Sequence, residues 1–197
     1  MSADPISDLT PVAWLERLAS VLGAASARIG GEPAPVPAAF DAARALLEQA
    51  RARDACLWWV GNGGSAGICA HLAQDAMNKL RLRSLALTDA SLLTCMANDF
   101  GYEQVYARPL GHLARPGDVL VAVSSSGRSP NILAAVDRAL SGGIEVIACS
   151  GFRADNPLRS RPVAVGFHLP EELYGTVEVG HLALLHALLE TMSLAGS

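Results

Sequence analysis

Five short, continuous apolar segments recur between residues 55 and 168. They are ACLWWV (55–60), SLALT (84–88), DVLVAVS (118–124), IEVIACS (144–150) and PVAVGFH (162–168). Longer stretches of helical character alternate with them, and the last runs from Tyr174 to Leu194. A strand that is apolar on both faces must be covered on both faces, as in a parallel sheet between two layers of helices. The sequence therefore predicts an α/β three-layer sandwich with a five-stranded parallel sheet.

The first 53 residues have a different pattern. Apolar residues recur at helical spacing over Leu9–Ile29 and again over Ala38–Arg53, with the breaker GGEPAPVP between them. We expect two N-terminal helices here, packed on or beside the sheet. The length of 197 residues fits a single domain (1–197), composed of N-terminal helices (1–53) and an α/β core (54–194).

Composition argues against several classes of protein. The net charge is −4 and no run of Lys or Arg stands out, so a nucleic-acid-binding face or a basic membrane patch is not expected. No apolar stretch reaches the roughly 18 residues of a membrane span. The N-terminal segment MSADPISDLTPVAW has neither the basic nor the apolar region of a secretory signal. We therefore expect a cytoplasmic protein.

The cysteines are widely spaced in apolar surroundings. They are Cys56, Cys69, Cys95 and Cys149, and no CxxC pair is present. This spacing favours reduced thiols in the core over a zinc cluster or disulfides.

A glycine-rich loop follows the first predicted strand in WWVGNGGSAG. Gly61, Gly63 and Gly64 allow the backbone to approach a ligand closely, and the free N–H groups of the next helix would face an anion. Asn62 and Ser65 add side-chain hydrogen-bonding groups. The pattern is neither a P-loop nor a well-registered GxGxxG. Taken alone, the loop fits a phosphate site or a simple tight turn.

A serine-rich loop, SSSGRSPN, follows the third predicted strand. It places the hydroxyls of Ser124, Ser125, Ser126 and Ser129 around Gly127, and Ser129-Pro130 has the pattern of a helix start. The alternative is a polar capping loop, which would need only one or two serines. Since both loops follow strands, they would meet at the carboxyl edge of the sheet, where open α/β sheets bind ligands. The two loops together therefore favour a phosphate monoester site.

Histidine and carboxylate residues lie on two predicted helices. His71 and Asp75 are four residues apart and share one helical face. In the last helix Glu178 and His186 are about 80° apart around the axis, with His181 between them in sequence. Two histidines and two carboxylates suit Zn²⁺ or a similar divalent ion. The alternative is that the histidines are packed residues and the carboxylates are solvated.

The two loop motifs, GNGGSA (61–66) and SSSGRSPN (124–131), resemble those of the sugar isomerase (SIS) domain, whose fold is flavodoxin-like. The segments LALTDASLLTCMANDFGYEQVYARPL and VEVGHLALLHALLE are similar to the phosphoheptose isomerase branch, and the likeness runs from about Ala55 to Leu189. This resemblance implies an isomerase that converts sedoheptulose 7-phosphate to D-glycero-D-manno-heptose 7-phosphate through an enediol. It also implies a homotetramer with sites at subunit junctions.

The resemblance assigns roles to particular residues. The residues at the family's zinc-ligand positions are His71, Asp75, Glu178 and His186, and Asp75 and His186 also correspond to the proton-transfer pair. A carboxylate bound directly to zinc is a poorer base, so the role of Asp75 as base or as ligand stays open. The expected substrate-binding residues are Asn62, Gly63, Gly64, Ser65, Asp89, Ser124, Ser125, Ser126 and Ser129. For Asp89 an equally good interpretation is the N-cap of the following helix.

This chain departs from the family pattern at several positions. Asp75 replaces the usual Glu, Glu178 stands where Gln is common, and Arg128 replaces an Asn in the serine loop. Gly175-Thr176 stands where polar residues usually precede the ligand of the last helix. Two other functions stay open at this point. One is an isomerase for a different ketose phosphate, and the other is a non-catalytic SIS module that binds a phosphosugar or a protein.

Overall fold

The computed structural model describes residues 9–195 of the chain. The ends of the predicted 1–197 domain, residues 1–8 and 196–197, lie outside the described residues. So does most of the segment in which no secretory signal was expected.

Helices and strands alternate along most of the described chain. The helices are α1 (Pro11–Gly23), α2 (Val36–Ala52), α3 (Gly64–Leu80), α4 (Ala90–Phe100), α5 (Gln104–Leu113), α6 (Pro130–Ser141) and α7 (Tyr174–Ala195). The strands are β1 (Ser26–Ile29), β2 (Glu32–Ala34), β3 (Cys56–Gly61), β4 (Arg83–Ala86), β5 (Val119–Ser124), β6 (Glu145–Gly151) and β7 (Val165–Leu169).

The strands form one sheet in the order β2-β1-β7-β6-β5-β3-β4. Strands β3 to β7 are mutually parallel, as the continuous apolar segments predict. The α/β class is confirmed, with two more strands than expected because β1 and β2 pair antiparallel and β1 also pairs antiparallel with β7.

The extra hairpin corrects the prediction for the N-terminal region. The first helix ends at Gly23 and not at Ile29, and the segment predicted as a breaker forms the turn and second strand of the hairpin. Gly30 and Gly31 make the turn, so the chain reverses and β1 covers the edge of β7. A four-residue strand carries too few apolar positions for spacing to separate it from a helix end.

Two hydrophobic clusters lie on opposite faces of the sheet. Helices α2, α3 and α7 cover the face that holds Trp59 and Phe167, and α4, α5 and α6 cover the face that holds Trp58 and Leu120. Strands β3 and β5 are buried along their whole length, which explains their unbroken apolar sequence. None of the helices among the described residues is both long and apolar enough to span a membrane.

The four cysteines are all free thiols. Cys56, Cys69 and Cys149 are buried, and burial raises the pKa of Cys56 to about 11 and that of Cys149 to about 12. These thiols are therefore protonated and unreactive at neutral pH. The expectation of a core thiol is wrong for Cys95, which is exposed on α4 with its sulfur 3.6 Å from the Asp99 carboxylate.

Candidate functional site

A cleft of about 260 Å³ opens at the carboxyl ends of β3 and β5. These strands are adjacent and parallel, with Gly61 opposite Val123, so the loops that follow them leave the same edge of the sheet. The cleft is lined by Asn62, Gly63, Gly64, Ser65, Val123, Ser124, Ser125, Ser126, Ser129, Tyr174 and Glu178. Eight of the nine residues expected to bind substrate therefore lie around one cavity.

The glycine-rich loop brings a carboxylate close to the start of α3. A Cβ atom on Gly64 would lie 2.5 Å from a Glu178 carboxylate oxygen, so the absence of a side chain makes room for Glu178 from α7. Gly63 is the N-cap of α3, which directs the free N–H groups of the first turn toward the cleft.

The serine loop presents hydroxyl groups to the same cavity. The hydroxyls of Ser124 and Ser129 are 3.3 Å apart, and Ser126 Oγ accepts a hydrogen bond from the Arg128 N–H. Ser125 Oγ is buried and has no hydrogen-bond partner among the described residues. Ser129 is the N-cap of α6 but its side chain does not bond to that helix, so its hydroxyl can reach a ligand. The unpartnered Ser125 hydroxyl and the N-termini of α3 and α6 therefore surround a cavity that suits an oxyanion.

The conformation of the serine loop depends on Gly127. Its φ is +62°, and a Cβ atom there would collide with the Asn156 side chain. The Gly127 carbonyl accepts from the Leu158 N–H at 3.0 Å, which ties the loop to the segment after β6. The loop is thus fixed before any ligand arrives.

A pair of amides connects the two loops. Asn62 Nδ2 donates to Asn131 Oδ1 at 2.9 Å, and Asn131 Nδ2 donates to Asn62 Oδ1 at 2.8 Å. The Tyr106 hydroxyl donates to the Gly61 carbonyl from α5. Sequence analysis missed Asn131 and Tyr106 as site residues, although the place of Asn131 in the SSSGRSPN motif was a usable signal.

A second group of candidate site residues lies where α3 packs against α7. His71 Nε2 and His186 Nε2 are 3.2 Å apart. The Asp75 Oδ2 atom is 3.6 Å from His186 Nδ1 and 4.0 Å from His71 Nε2. One ligand atom from each residue lies within 4.8 Å of the other two, close enough for one metal ion. The structure therefore brings together three of the four residues expected to bind zinc.

We call the group of His71, Asp75 and His186 the His–Asp cluster. Lys79 and Glu190 extend it, and sequence analysis missed both residues. Lys79 Nζ donates to Asp75 Oδ2 at 3.0 Å and also to the Glu190 carboxylate. These hydrogen bonds, first to Glu190 and then to Asp75, raise the pKa of Lys79. Lys79 lies four residues after Asp75, and Glu190 four residues after His186, so the helical spacing was a usable signal.

The structure places two of the expected residues elsewhere. The Glu178 carboxylate lies in the cleft against Gly64 and is not part of the His–Asp cluster. Asp89 does not line the cleft, and its Oδ1 accepts a hydrogen bond from the Leu92 N–H at 2.8 Å at the start of α4. The geometry at Asp89 is that of the N-cap alternative.

Two further histidines are buried behind the serine loop. His181 Nε2 is 3.0 Å from the Ser150 carbonyl, which can only accept, so Nε2 carries the proton. His168 Nδ1 is 3.1 Å from the Ser150 hydroxyl. Burial lowers the pKa of each histidine to about 4, so both are neutral at pH 7.

Acid is expected to destabilise the fold through these two histidines. In the unfolded chain their pKa returns to about 6.5, so between pH 6.5 and 4 the unfolded state binds more protons and the free energy of unfolding falls. Each contributes up to about 1.4 kcal/mol per pH unit in that range. Urea unfolding at pH 7, 6 and 5 measures the slope, which should be shallower in His168→Gln. Equal slopes in the two proteins would contradict the assignment for His168.

The chain is similar to known proteins in both sequence and structure. Residues 37–151 match the family model of the SIS domain. The phosphoheptose isomerase of Thiobacillus denitrificans is 37% identical over 155 residues, which cover 75% of this chain and 78% of the relative. That of Bordetella avium is 36% identical over 151 residues, covering 73% and 76%. The solved phosphoheptose isomerase of Neisseria gonorrhoeae superposes with a TM-score of 0.76 at 29% identity, covering 92% of this chain and 91% of that one.

These similarities extend over the elements that build the cleft and the His–Asp cluster. The family model covers both loops together with His71 and Asp75, and the superposed structure covers nearly the whole chain. The chain belongs to the SIS domain family, within the group of the phosphoheptose isomerases.

Proposed function

We propose that the protein is an aldose–ketose isomerase that converts sedoheptulose 7-phosphate to D-glycero-D-manno-heptose 7-phosphate. The relatives named as phosphoheptose isomerases support this substrate. The observation that carries the proposal is that the oxyanion cleft and the Asp75–His186 pair lie along the same two helices, α3 and α7. Eight residues of α7 separate Glu178 in the cleft from His186 in the cluster, a distance of about 12 Å along the helix axis. An extended sugar phosphate is long enough to occupy the cleft with one end and reach the His–Asp cluster with the other.

The serine loop is the proposed anchor for the phosphate. Its hydroxyls, with the N-termini of α3 and α6, supply donors and partial positive charge without a lysine among the cleft residues. Held by its phosphate, the substrate directs carbons 1 and 2 toward the His–Asp cluster. Fixing both ends in this way aligns the reacting carbon with the base before chemistry begins.

Proton transfer is assigned to Asp75 and His186. The Asp75 carboxylate removes a proton from carbon 1 of the ketose through an oxygen that does not hold the metal, and the electron pair left behind forms the carbon–carbon double bond of the enediolate. The same carboxylate then returns a proton to carbon 2, which completes the aldose. His186, whose Nδ1 is 3.6 Å from Asp75 Oδ2, carries a proton between the oxygens on carbons 1 and 2.

We propose Zn²⁺ as the cofactor of this site. His71, Asp75 and His186 offer the nitrogen and oxygen ligands that zinc prefers, and their ligand atoms lie within 4.8 Å of one another. Glu178 is the fourth residue implied by the family pattern, although its carboxylate here faces Gly64. When bound, the ion polarises the substrate carbonyl and lowers the barrier to enediolate formation.

A homotetramer in the cytoplasm is also proposed. Val12 and Leu15 on α1 and Leu194 on α7 are exposed by 65%, 59% and 75%, which leaves apolar surface for other subunits to cover. The four free thiols suit a reducing compartment. Sedimentation analysis would measure the oligomeric state directly.

A panel of ketose phosphates tests the proposed function. Purified protein supplied with Zn²⁺ is mixed separately with sedoheptulose 7-phosphate and with five- and six-carbon ketose phosphates, and NMR follows each mixture over time. We expect an aldose product from sedoheptulose 7-phosphate. Turnover of a shorter ketose phosphate alone would overturn the substrate assignment. Binding without any turnover would replace the isomerase with a phosphosugar-binding module.

A further inference from the structure

Phe152 adopts a backbone conformation that a phenylalanine rarely occupies. Its φ is +59°, in the left-handed region that favours glycine. It directly follows Gly151, the last residue of β6, whose N–H donates to the Ser125 carbonyl of the serine loop at 2.8 Å. The Phe152 N–H donates to the Glu171 carbonyl at 3.0 Å, which holds the strained residue in place. Such strain persists where the surrounding structure imposes it, often beside a binding site.

The ring of Phe152 supports an exposed tyrosine at the edge of the cleft. It meets Tyr174 edge to face, with ring centroids 4.7 Å apart and planes at 80°. Tyr174 is the first residue of α7 and lines the cleft with the serine loop. It is 60% exposed, and its hydroxyl bonds to no other described residue.

The segment before α7 is fixed independently of the cleft. The Glu171 carboxylate accepts from the N–H groups of Glu172 and Leu173, at 2.6 Å and 3.0 Å, and from the Arg17 guanidinium of α1. These bonds hold the residues immediately before Tyr174. The tyrosine is thus placed in advance, although most of its own surface faces solvent.

The position of Tyr174 on α7 identifies the part of the ligand that it faces. It lies one helical turn before Glu178 on the same face, on the side away from His186. It is therefore at the serine-loop end of the cleft and far from the proton-transfer pair. A phenol hydroxyl without a partner, beside a set of serine hydroxyls and two helix N-termini, matches an anionic oxygen as acceptor.

We propose that Tyr174 covers the phosphate end of the cleft and donates its hydroxyl hydrogen bond to a phosphate oxygen of the substrate. Phe152 acts as a positioning residue, because its ring fixes the orientation of the Tyr174 ring. The proposal rests on the proposed function for the identity of the sugar, but the phosphate contact itself does not depend on turnover.

Binding of inorganic phosphate, followed by ³¹P NMR titration, measures the contact without catalysis. We expect Tyr174→Phe, which removes only the hydroxyl, to weaken phosphate binding about tenfold, as for loss of a hydrogen bond to a charged group. Ser129→Ala is the positive control and should weaken binding to a similar degree. In turnover of sedoheptulose 7-phosphate the loss should appear mainly in KM, because the phosphate contact is the same in the ground and transition states.

Phe152→Gly separates positioning from stability. Glycine relieves the positive φ, so we expect Tm to hold or rise while phosphate binding weakens about threefold. Phe152→Tyr keeps the aromatic ring and should retain the phosphate affinity of the wild-type protein. Arg81→Gly is the matched control, because Arg81 has a φ of +54° at the end of α3 and does not line the cleft. It should leave phosphate affinity and KM unchanged.

The outcomes distinguish this proposal from the proposed function. Wild-type phosphate affinity in Tyr174→Phe, or no phosphate binding by the wild-type protein, would overturn the role of Tyr174 even if the enzyme isomerises the heptose. Weakened phosphate binding in Tyr174→Phe, in a protein that converts no ketose phosphate, would support Tyr174 and overturn the isomerase. Unchanged affinity in Phe152→Gly would remove the positioning role of Phe152.

Discussion

Asp75→Asn is expected to lower turnover of sedoheptulose 7-phosphate by about 100-fold or more, the usual effect of losing a positioned general base. The asparagine has nearly the same shape but its amide cannot accept the proton from carbon 1. Phosphate affinity should change little, because Asp75 lies in the His–Asp cluster and does not line the cleft. Steady-state kinetics and a phosphate titration on the same preparation measure the two effects.

Asp137→Asn is the matched control for this substitution. Asp137 is an exposed carboxylate on α6 that pairs with Arg161, outside both the cleft and the His–Asp cluster. The control should retain wild-type turnover. If Asp75→Asn kept more than about a tenth of wild-type turnover, its carboxylate would not be the base. If it also lost phosphate affinity, a general disturbance of the site would be the better explanation.

Loss of the metal is the second large effect that we expect. Elemental analysis of the wild-type protein should find about one zinc per chain, and His71→Ala and His186→Ala should each contain almost none. Each substitution removes one of the three residues whose ligand atoms lie within 4.8 Å of one another. The two residues that remain supply too few ligands to bind the ion tightly. Chelator should lower the turnover of the wild-type protein by about 100-fold, and added Zn²⁺ should restore it.

His112→Ala controls for the removal of an imidazole. His112 is exposed on α5 and lies outside the cluster. It should retain both zinc and activity. A wild-type protein that is free of metal and fully active in chelator would limit His71 and His186 to direct proton transfer or packing.

Much of the fold and of the cleft follows from local sequence patterns. Burial on both faces makes β3 and β5 apolar along nearly their whole length, so these two strands could be located without a structure. Loops that follow neighbouring parallel strands must meet at one edge, so Ser65 and Ser124 could be placed together from sequence. The β1–β2 hairpin could not be predicted in this way, because β1 and β2 have only four and three residues and are only partly buried.

Glu178 shows the limit of helical periodicity. The angle around the axis allows Glu178 and His186 to share a face of α7, but eight residues also separate them by about 12 Å along that axis. The Glu178 carboxylate consequently reaches Gly64 at the start of α3, while His186 meets His71 two turns further along. The angle around the helix axis therefore predicted that Glu178 and His186 share a face of α7. It could not predict that they lie at different heights along the axis and contact different parts of α3.

Residues brought in by tertiary packing could not be predicted from spacing. Asn131 pairs with Asn62 across two loops, and Tyr174 lines the cleft beside Phe152, which follows a different strand. No local pattern marks Tyr174 as part of a site, and the motif that contains Asn131 does not reveal its pairing with Asn62. Helical spacing could place Lys79 near Asp75 and Glu190 near His186, but the link between Lys79 and Glu190 depends on the contact of α3 with α7.

Reaction in D₂O tests most directly the claim that this site moves a proton between neighbouring carbons. The wild-type protein with Zn²⁺ is incubated with sedoheptulose 7-phosphate until the reaction reaches equilibrium, and NMR examines carbon 2 of the aldose. An enediolate that exchanges its proton with solvent through Asp75 should place deuterium there over repeated turnovers, and Asp75→Asn should slow its appearance together with the product. If carbon 2 still carries only protium at equilibrium and Asp75→Asn forms aldose as fast as the wild-type protein, the assignment of Asp75 as the base is contradicted.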